Sequence, residues 1–419
     1  VKKIPIEMIF RPIRGTHDLF GLEIEKYNIV NSEISKIAKI YNFNKIETPI
    51  FESTNLFSKP LGVQSDVVLK EMYTFLDRNN DSLTLRPEYT TPMIRAAISN
   101  NLLNSLPCKV FGIGPMFRRE RPQKGRYRQF NQINFENFGS NDPFADVELI
   151  LIAKQFIETV LPKNNCKLHI NSLGDKETLK IYKKELSNYL RKFEKDLSNE
   201  SKEKILINPL RILDSKDKAD QLVISSAPLI VDFLSKEALN KYDEVKRFLE
   251  QYNITFKENF SLVRGLDYYC HTVFEFKTDS LGSQDTIIGG GRYDGLIKTL
   301  GGQNIPGVGW AGGVERIMML MQGQTNRTEA IHFSILDQKF KLHALEAYKL
   351  LTDNKIPVYW NFKYNLKKSL SKSNEHKASY IIIVGEDEFN LKKYTLKNLI
   401  DGSQKILKLT ELIRSIKNG

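Results

Sequence analysis

Phe117–Glu136 reads FRRERPQKGRYRQFNQINFE, and its second half decides the fold. From Phe130 to Phe138 side chains alternate in character with the two-residue period of a strand. Phe130, Gln132, Asn134 and Glu136 share one face, while Ile133 and Phe135 point to the other. Hydrogen-bonding groups and a carboxylate in line beside an aromatic ring describe a pocket wall for a polar small molecule. The first half is a loop with five arginines, Arg118, Arg119, Arg121, Arg126 and Arg128. Their planar forks match phosphate oxygens bidentately. Such a hairpin suits a nucleotide, a nucleic-acid backbone, or both.

Working outward, Leu83–Arg86 and Lys109–Ile113 also read as strands, and their short separations favour antiparallel pairing over crossovers. Helical spacing appears at Ile34, Ile37 and Tyr41, and again at Leu149, Ile152, Phe156 and Val160. From about residue 171 to 254 the chain turns Lys/Glu-rich and helical, which predicts a helical insertion. Gln322–Thr328 (QGQTNRT) reads as a linker. Beyond it Ala330–Leu336, Ile356–Phe362 and Ser379–Gly385 read as strands and Lys341–Leu351 as a helix, a small α/β unit with a mainly parallel sheet. The expected organisation is an α+β core over residues 1–325, mainly antiparallel sheet flanked by helices, then an α/β domain over 326–419.

Composition narrows the chemistry. The chain has 419 residues, 62 Lys+Arg against 50 Asp+Glu, and 41% hydrophobic residues. That excludes a disordered or collagen-like chain. No apolar run approaches the ~20 residues of a membrane span, and Val1–Phe10 is too interrupted for a secretory signal. Three widely spaced cysteines form no disulfide framework, so a reducing cytoplasm is expected. The six histidines are scattered, with only His271 beside a cysteine, Cys270. No short-spaced ligand pairs exist, so no protein-bound transition metal is expected. Residues 326–419 carry 17 Lys+Arg against 10 Asp+Glu, a bias that suits a polyanion such as nucleic acid as well as a solvated basic face.

Three further stretches bear on function. Leu262–Tyr269 (LVRGLDYY) sets Arg264 beside a turn-forming glycine and two phenols, Tyr268 and Tyr269. Ile288–Gly295 (IGGGRYDG) and Gly307–Gly313 (GVGWAGG) permit close backbone approach. Gly307, Gly309 and Gly312 match G-x-G-x-x-G formally, but neither a βαβ unit nor a suitably spaced acidic residue accompanies them. No G-x-x-x-x-G-K-[ST] loop occurs either. A helix is expected from Val314, with Arg316 in its first turn. A cation there opposes the helix dipole, which suits an anion partner.

These motifs together resemble the class II aminoacyl-tRNA synthetases, and histidyl-tRNA synthetase among them. Lys45–Glu52, Arg118 within FRRE, and Gly309–Arg316 (GWAGGVER) look like the three class signatures. LVRGLDYY and GGGRYDG resemble the two peptides of the histidine-specific family, and TLRPEYT, RPQKGRYRQF and NPLRILDSK are similar to it as well. The resemblance implies ATP-dependent ligation of L-histidine to tRNA(His) by a homodimer, with Mg²⁺ on the ATP and an anticodon-binding C-terminal domain. It implies that Arg118 grips the α-phosphate, Arg316 the γ-phosphate, Phe130 stacks on adenine and Glu120 reads its edge. Glu88, Thr90 and Gln132 would hold the histidine amino group, and Tyr89 is counted among the histidine-binding residues. Glu136 and Tyr269 would read the imidazole, with Tyr268 beside them, and Arg264 would bridge substrate carboxylate and phosphate. The alternative in the same fold is a non-catalytic regulatory subunit of ATP phosphoribosyltransferase. Tyr89 and Asn134 stand where most members have Gly, and Gly312 where they have a larger residue. An energetic coupling among these three positions is therefore expected.

Overall fold

The computed structural model describes residues 10–62, 67–162, 165–282, 285–322 and 330–417. It divides into Val1–Gln322 and Gly323–Gly419. Most of the expected linker lies outside the described residues.

The first unit carries strands β1 Asn44–Lys45, β2 Phe51–Ser53, β3 Tyr73–Leu76, β4 Ser82–Leu85, β5 Cys108–Phe117, β6 Gln129–Phe138, β7 Lys167–Ser172, β8 Phe256–Glu258, β9 Cys270–Lys277, β10 Thr286–Arg292 and β11 Gly307–Gly313. Eight form one sheet in the order β1-β5-β6-β11-β10-β9-β7-β8, and β2-β4-β3 form a small one. Only the β1–β5 and β7–β8 pairs of the large sheet are parallel. The antiparallel hairpin β5–β6 pairs ten residues on each strand, Cys108↔Phe138 through Phe117↔Gln129.

The alternation along β6 sorts the two faces. Ile133 and Phe135 bury into an apolar layer with Val30, Ile34 and Ile37 of helix α1 (Leu22–Ile40). Leu149, Ile152 and Phe156 of a second long helix (Phe144–Val160) complete that layer. Phe135 stacks on Trp310 with ring centroids 4.9 Å apart. The polar residues of β6 face the other way, under the helix Thr90–Ser99 and the loop Leu262–Tyr269.

The predicted insertion is too wide. The helices Lys176–Lys192, Asn199–Ile207 and Lys218–Ile224 do pack together, with Tyr182, Leu186 and Leu190 in their core. The helix Lys236–Gln251 instead buries Tyr242, Val245 and Leu249 in the layer behind the large sheet. Its amphipathic pattern announces burial without saying against what.

The second unit holds β12 Ile331–Ile335, β13 Val358–Trp360, β14 Tyr380–Val384, β15 Tyr394–Asn398 and β16 Gln404–Leu407 in the order β13-β12-β14-β15-β16. β12 is parallel to β13 and β14, but β14–β15 and β15–β16 are antiparallel. The sheet is mixed, not mainly parallel, because β14 is joined to β15 only through the short helix Glu386–Leu391 and β15 to β16 through a short turn, too short for crossovers.

Candidate active site

Register across the large sheet assembles the site from residues far apart in sequence. One row runs Gly112 on β5, Asn134 on β6, Ala311 on β11, Gly289 on β10 and Glu275 on β9. Directly paired residues of antiparallel strands share a face, so this row floors the pocket. A neighbouring row joins Val110, Glu136, Gly309 and Gly291, and another joins Gly114, Gln132 and Gly313. Small residues recur because larger groups lie over them. A Cβ at Gly112 would meet the Tyr89 ring at 2.7 Å, and one at Gly289 would meet the Arg264 guanidinium at 2.5 Å. The Glu136 carboxylate lies over Gly309 with no room for a methyl group.

Glu136 is 1% exposed and its carboxylate is surrounded by donors. Oε1 accepts from Thr90 Oγ1 at 2.7 Å and Asn134 Nδ2 at 3.1 Å, and Oε2 accepts from the Tyr293 hydroxyl. Burial pushes its pKa up to about 8, against the lowering effect of those hydrogen bonds. Tyr268, Tyr269 and Tyr293 form one cluster with ring centroids 4.7 to 6.3 Å apart. Burial raises all three phenols, keeping them as donors at neutral pH. Glu88 caps the helix Thr90–Ser99, accepting from Thr90 N at 2.8 Å and Thr91 N at 2.9 Å. A carboxylate at a helix N-terminus gains from the exposed N–H groups and the dipole.

Beside this pocket opens a cavity of about 560 Å³ lined by Arg118, Glu120, Phe130, Gln132, Arg264 and Arg316 among others. Arg118 donates through Nε to Pro87 O at 2.8 Å and lies 5.4 Å from the Phe130 ring centroid. Arg316 donates to Gly125 O at 3.0 Å and Thr286 O at 2.9 Å. Burial lowers the pKa of both, and for Arg316 the neighbouring Arg118 and Arg126 lower it further. Guanidiniums that repel one another inside a cleft are relieved by a polyanion. Arg264 is fixed by an ion pair with Glu275, whose other oxygen accepts from Thr286 Oγ1 at 3.0 Å.

The structure therefore brings together Glu88, Thr90, Gln132, Glu136, Arg264, Tyr268 and Tyr269, with Arg118, Glu120, Phe130 and Arg316 around the adjoining cavity. Glu120 is ion-paired to Arg126, which orders the arginine loop. Tyr89 differs from expectation. Its ring packs on Arg86, 4.2 Å from the guanidinium carbon, and its hydroxyl donates to Ile46 O at 3.4 Å. It shapes the wall beside Asn134 and sends no free polar group into the pocket. Gly312 differs more. It pairs with Ile133, and a Cβ there would meet Ile288 at 3.0 Å on the apolar face. It cannot make room for Tyr89 or Asn134 on the opposite face, which removes the steric basis of the expected coupling.

Several residues escaped the sequence reading. Tyr293 and Glu275 hold Glu136 and Arg264. Arg292 is 3% exposed and paired with Asp146, tying β10 to the helix behind the sheet and so fixing Tyr293. Glu315 accepts from Asn131 N and Nδ2 at 2.9 Å, locking β6 to the helix Val314–Leu320. The GGGRYDG and GVER peptides carried the signal, but not the partners. The fold also adds Asp294 to Cys270 and His271, their ligand atoms lying within 4.8 Å. There the Cys270 thiol accepts from Asp294 N at 3.2 Å, and burial pushes it up to about 12.

A profile described as histidyl-tRNA synthetase matches residues 15–317, and one described as anticodon binding domain matches 325–419. The chain belongs to the histidyl-tRNA synthetase family. It is 44% identical to the histidine–tRNA ligase of Wolbachia pipientis subsp. Culex pipiens (strain wPip), over 98% of this chain and all of the relative. The ligase of Ehrlichia chaffeensis (strain Arkansas) is 41% identical over 97% of this chain and 98% of its own. Apo histidyl-tRNA synthetase of S. aureus superposes with a TM-score of 0.80 at 29% identity, covering 98% of this chain and all of that one. A Bacillus halodurans C protein described as ATP phosphoribosyltransferase regulatory subunit/histidyl-tRNA synthetase shares the fold at 19% identity, with a TM-score of 0.67 over 90% of this chain and all of its own.

Proposed function

We infer that this chain ligates L-histidine to tRNA(His) at the expense of ATP. The observation that carries the reading is the polar floor of β6, with buried Glu136 at its deep end and Gln132 where it opens into the arginine-lined cavity. Histidine would lie along that floor, its imidazole toward Glu136, Tyr268 and Tyr269 and its amino group toward Glu88, Thr90 and Gln132. ATP would fill the cavity, adenine on Phe130 and beside Glu120, α-phosphate on Arg118 and γ-phosphate on Arg316. Mg²⁺ would enter as the nucleotide's counter-ion; of the carboxylates in the lining, Glu120 and Glu275 are engaged by Arg126 and Arg264, and Asp285 suits a hard cation.

The histidine carboxylate attacks the α-phosphorus and pyrophosphate leaves, giving histidyl-adenylate. A ribose hydroxyl of the tRNA 3′-terminal adenosine then attacks the histidyl carbonyl, and AMP leaves. No protein nucleophile is required. Arg264 and Arg118 supply fixed positive charge where the α-phosphate becomes crowded, and the floor supplies alignment. The basic unit beyond residue 330 would bind the anticodon. The regulatory-subunit reading is less well supported, because Arg118, Arg264 and Arg316 all remain around the cavity.

The reading extends to a cytoplasmic homodimer. Ile50, Phe51, Phe75 and Leu76 on or beside the small sheet are 43 to 63% exposed, an apolar patch suited to a second copy. Among the described residues no helix is long and apolar enough to cross a membrane. The direct test of the amino-acid site is Glu136→Ala in histidine-dependent pyrophosphate exchange. Stranding buried polar partners costs about 1–3 kcal/mol, so exchange should fall by about fivefold to a hundredfold or more. Unchanged exchange in the folded variant would remove Glu136 from the site.

A further inference from the structure

Asn134 occupies a position where glycine would leave the floor bare, and its hydrogen bonds leave one atom over. Nδ2 donates to Glu136 Oε1 at 3.1 Å and to Thr90 Oγ1 at 3.3 Å. Thr90 Oγ1 spends its one proton on Glu136 Oε1, so towards the amide it can only accept, and that keeps Nδ2 rather than Oδ1 on this side. Oδ1 is then a buried acceptor with no hydrogen-bond partner among the described residues, on a residue 1% exposed. A buried acceptor left unmet is unfavourable. Its row neighbours suggest what meets it. On one side Tyr89 covers Gly112, and on the other Ala311 lines the cavity.

Of the polar floor, Gln132 lines the cavity, whereas Asn134 and Glu136 lie deeper. The substrate carboxylate has to react at the cavity, so its side chain reaches inward to the Asn134–Glu136 pair. We propose that Asn134 is a specificity residue of this chain, its Oδ1 accepting the imidazole N–H of histidine while Glu136 and Thr90 hold the amide in that orientation. The proposal rests on the reading of this pocket as a histidine site. It divides the work at the deep end: Glu136, already surrounded by Thr90, Asn134 and Tyr293, orients the acceptor, and Asn134 completes the contact.

The test compares histidine with 3-(thiazol-4-yl)alanine, whose ring has sulfur in place of the N–H, in ATP–pyrophosphate exchange. The ratio of kcat/KM for the two substrates is measured for the wild type, Asn134→Ala and Asn134→Gly. Glycine is the smallest substitute and serves if alanine disturbs the strand. Losing one matched donor–acceptor pair is worth about tenfold. Exchange with histidine should therefore fall about tenfold or more while thiazolylalanine falls far less, collapsing the preference. Equal loss on both substrates, complete loss in a folded variant included, or an unchanged ratio would overturn the proposal. A wild type that activates another amino acid instead would overturn the histidine reading itself, a result that cannot be confused with failure of Asn134.

Discussion

Gly289→Ala tests how finely the floor positions Arg264. A methyl group there would sit 2.5 Å from Nη1, 2.7 Å from Nη2 and 2.8 Å from Cζ of that guanidinium. Heavy atoms settle near 3.5–4.0 Å, so the group has to lift by about 1 Å. It has little freedom to do so elsewhere. Its Nη1 is paired with Glu275, and Glu275 is itself held by Thr286 and by Lys277 at 3.3 Å. A misplacement of about 1 Å in a positioning charge costs around 10²-fold in rate. The assay is single-turnover formation of histidyl-adenylate by rapid quench, with ATP binding and thermal unfolding measured on the same variant. Adenylation should fall about a hundredfold while ATP affinity changes by less than about threefold, since a contact used mainly in the transition state is lost. A folded Gly289→Ala protein that forms adenylate at nearly the wild-type rate would refute the claim that Arg264 works from this position.

Other consequences are as direct. Glu136 has a folded pKa of about 8, above its ordinary 4.5, so its neutral form is favoured by folding and its contribution erodes as pH rises from about 4.5 through 8. Ligand-free wild type should lose stability relative to Glu136→Gln between about pH 6 and 9, by on the order of 2 kcal/mol, and a constant difference in unfolding across that range would contradict the assignment. Truncation after Gln322 should spare histidine-dependent exchange yet impair tRNA charging and flatten the salt dependence of tRNA binding, because fewer counterions are released. Unaltered charging and salt slope would move the tRNA contacts to the first unit. Gly312→Met combined with Asn134→Gly should show additive losses in adenylation, since the two positions face opposite sides of the sheet. Recovery of activity in the double variant would reinstate the coupling.

The alternation on β6 was legible because it is local. A two-residue period places Gln132, Asn134 and Glu136 together whatever the rest of the chain does. Arg316 was equally legible, as a cation where a helix start disfavours one. What stayed hidden depends on register between strands distant in sequence. Nothing near Arg264 names Glu275, and nothing near Glu136 names Tyr293, until β9, β10, β11 and β6 are laid side by side. Gly312 shows the same limit. Its place in a motif suggested a neighbour of the pocket, but pairing with Ile133 turns it to the apolar side. The helix Lys236–Gln251 falls within the stretch read as a helical insertion yet packs behind the large sheet, because a stripe of apolar residues does not name the surface it covers.

The account stands most directly on amino-acid choice. Pyrophosphate exchange should be measured with each of the twenty amino acids in turn, followed by transfer of the activated one to tRNA. The account predicts exchange with histidine alone, lost in Glu136→Ala, and charging of tRNA(His). Exchange that is strongest with another amino acid, or that needs none, would contradict it.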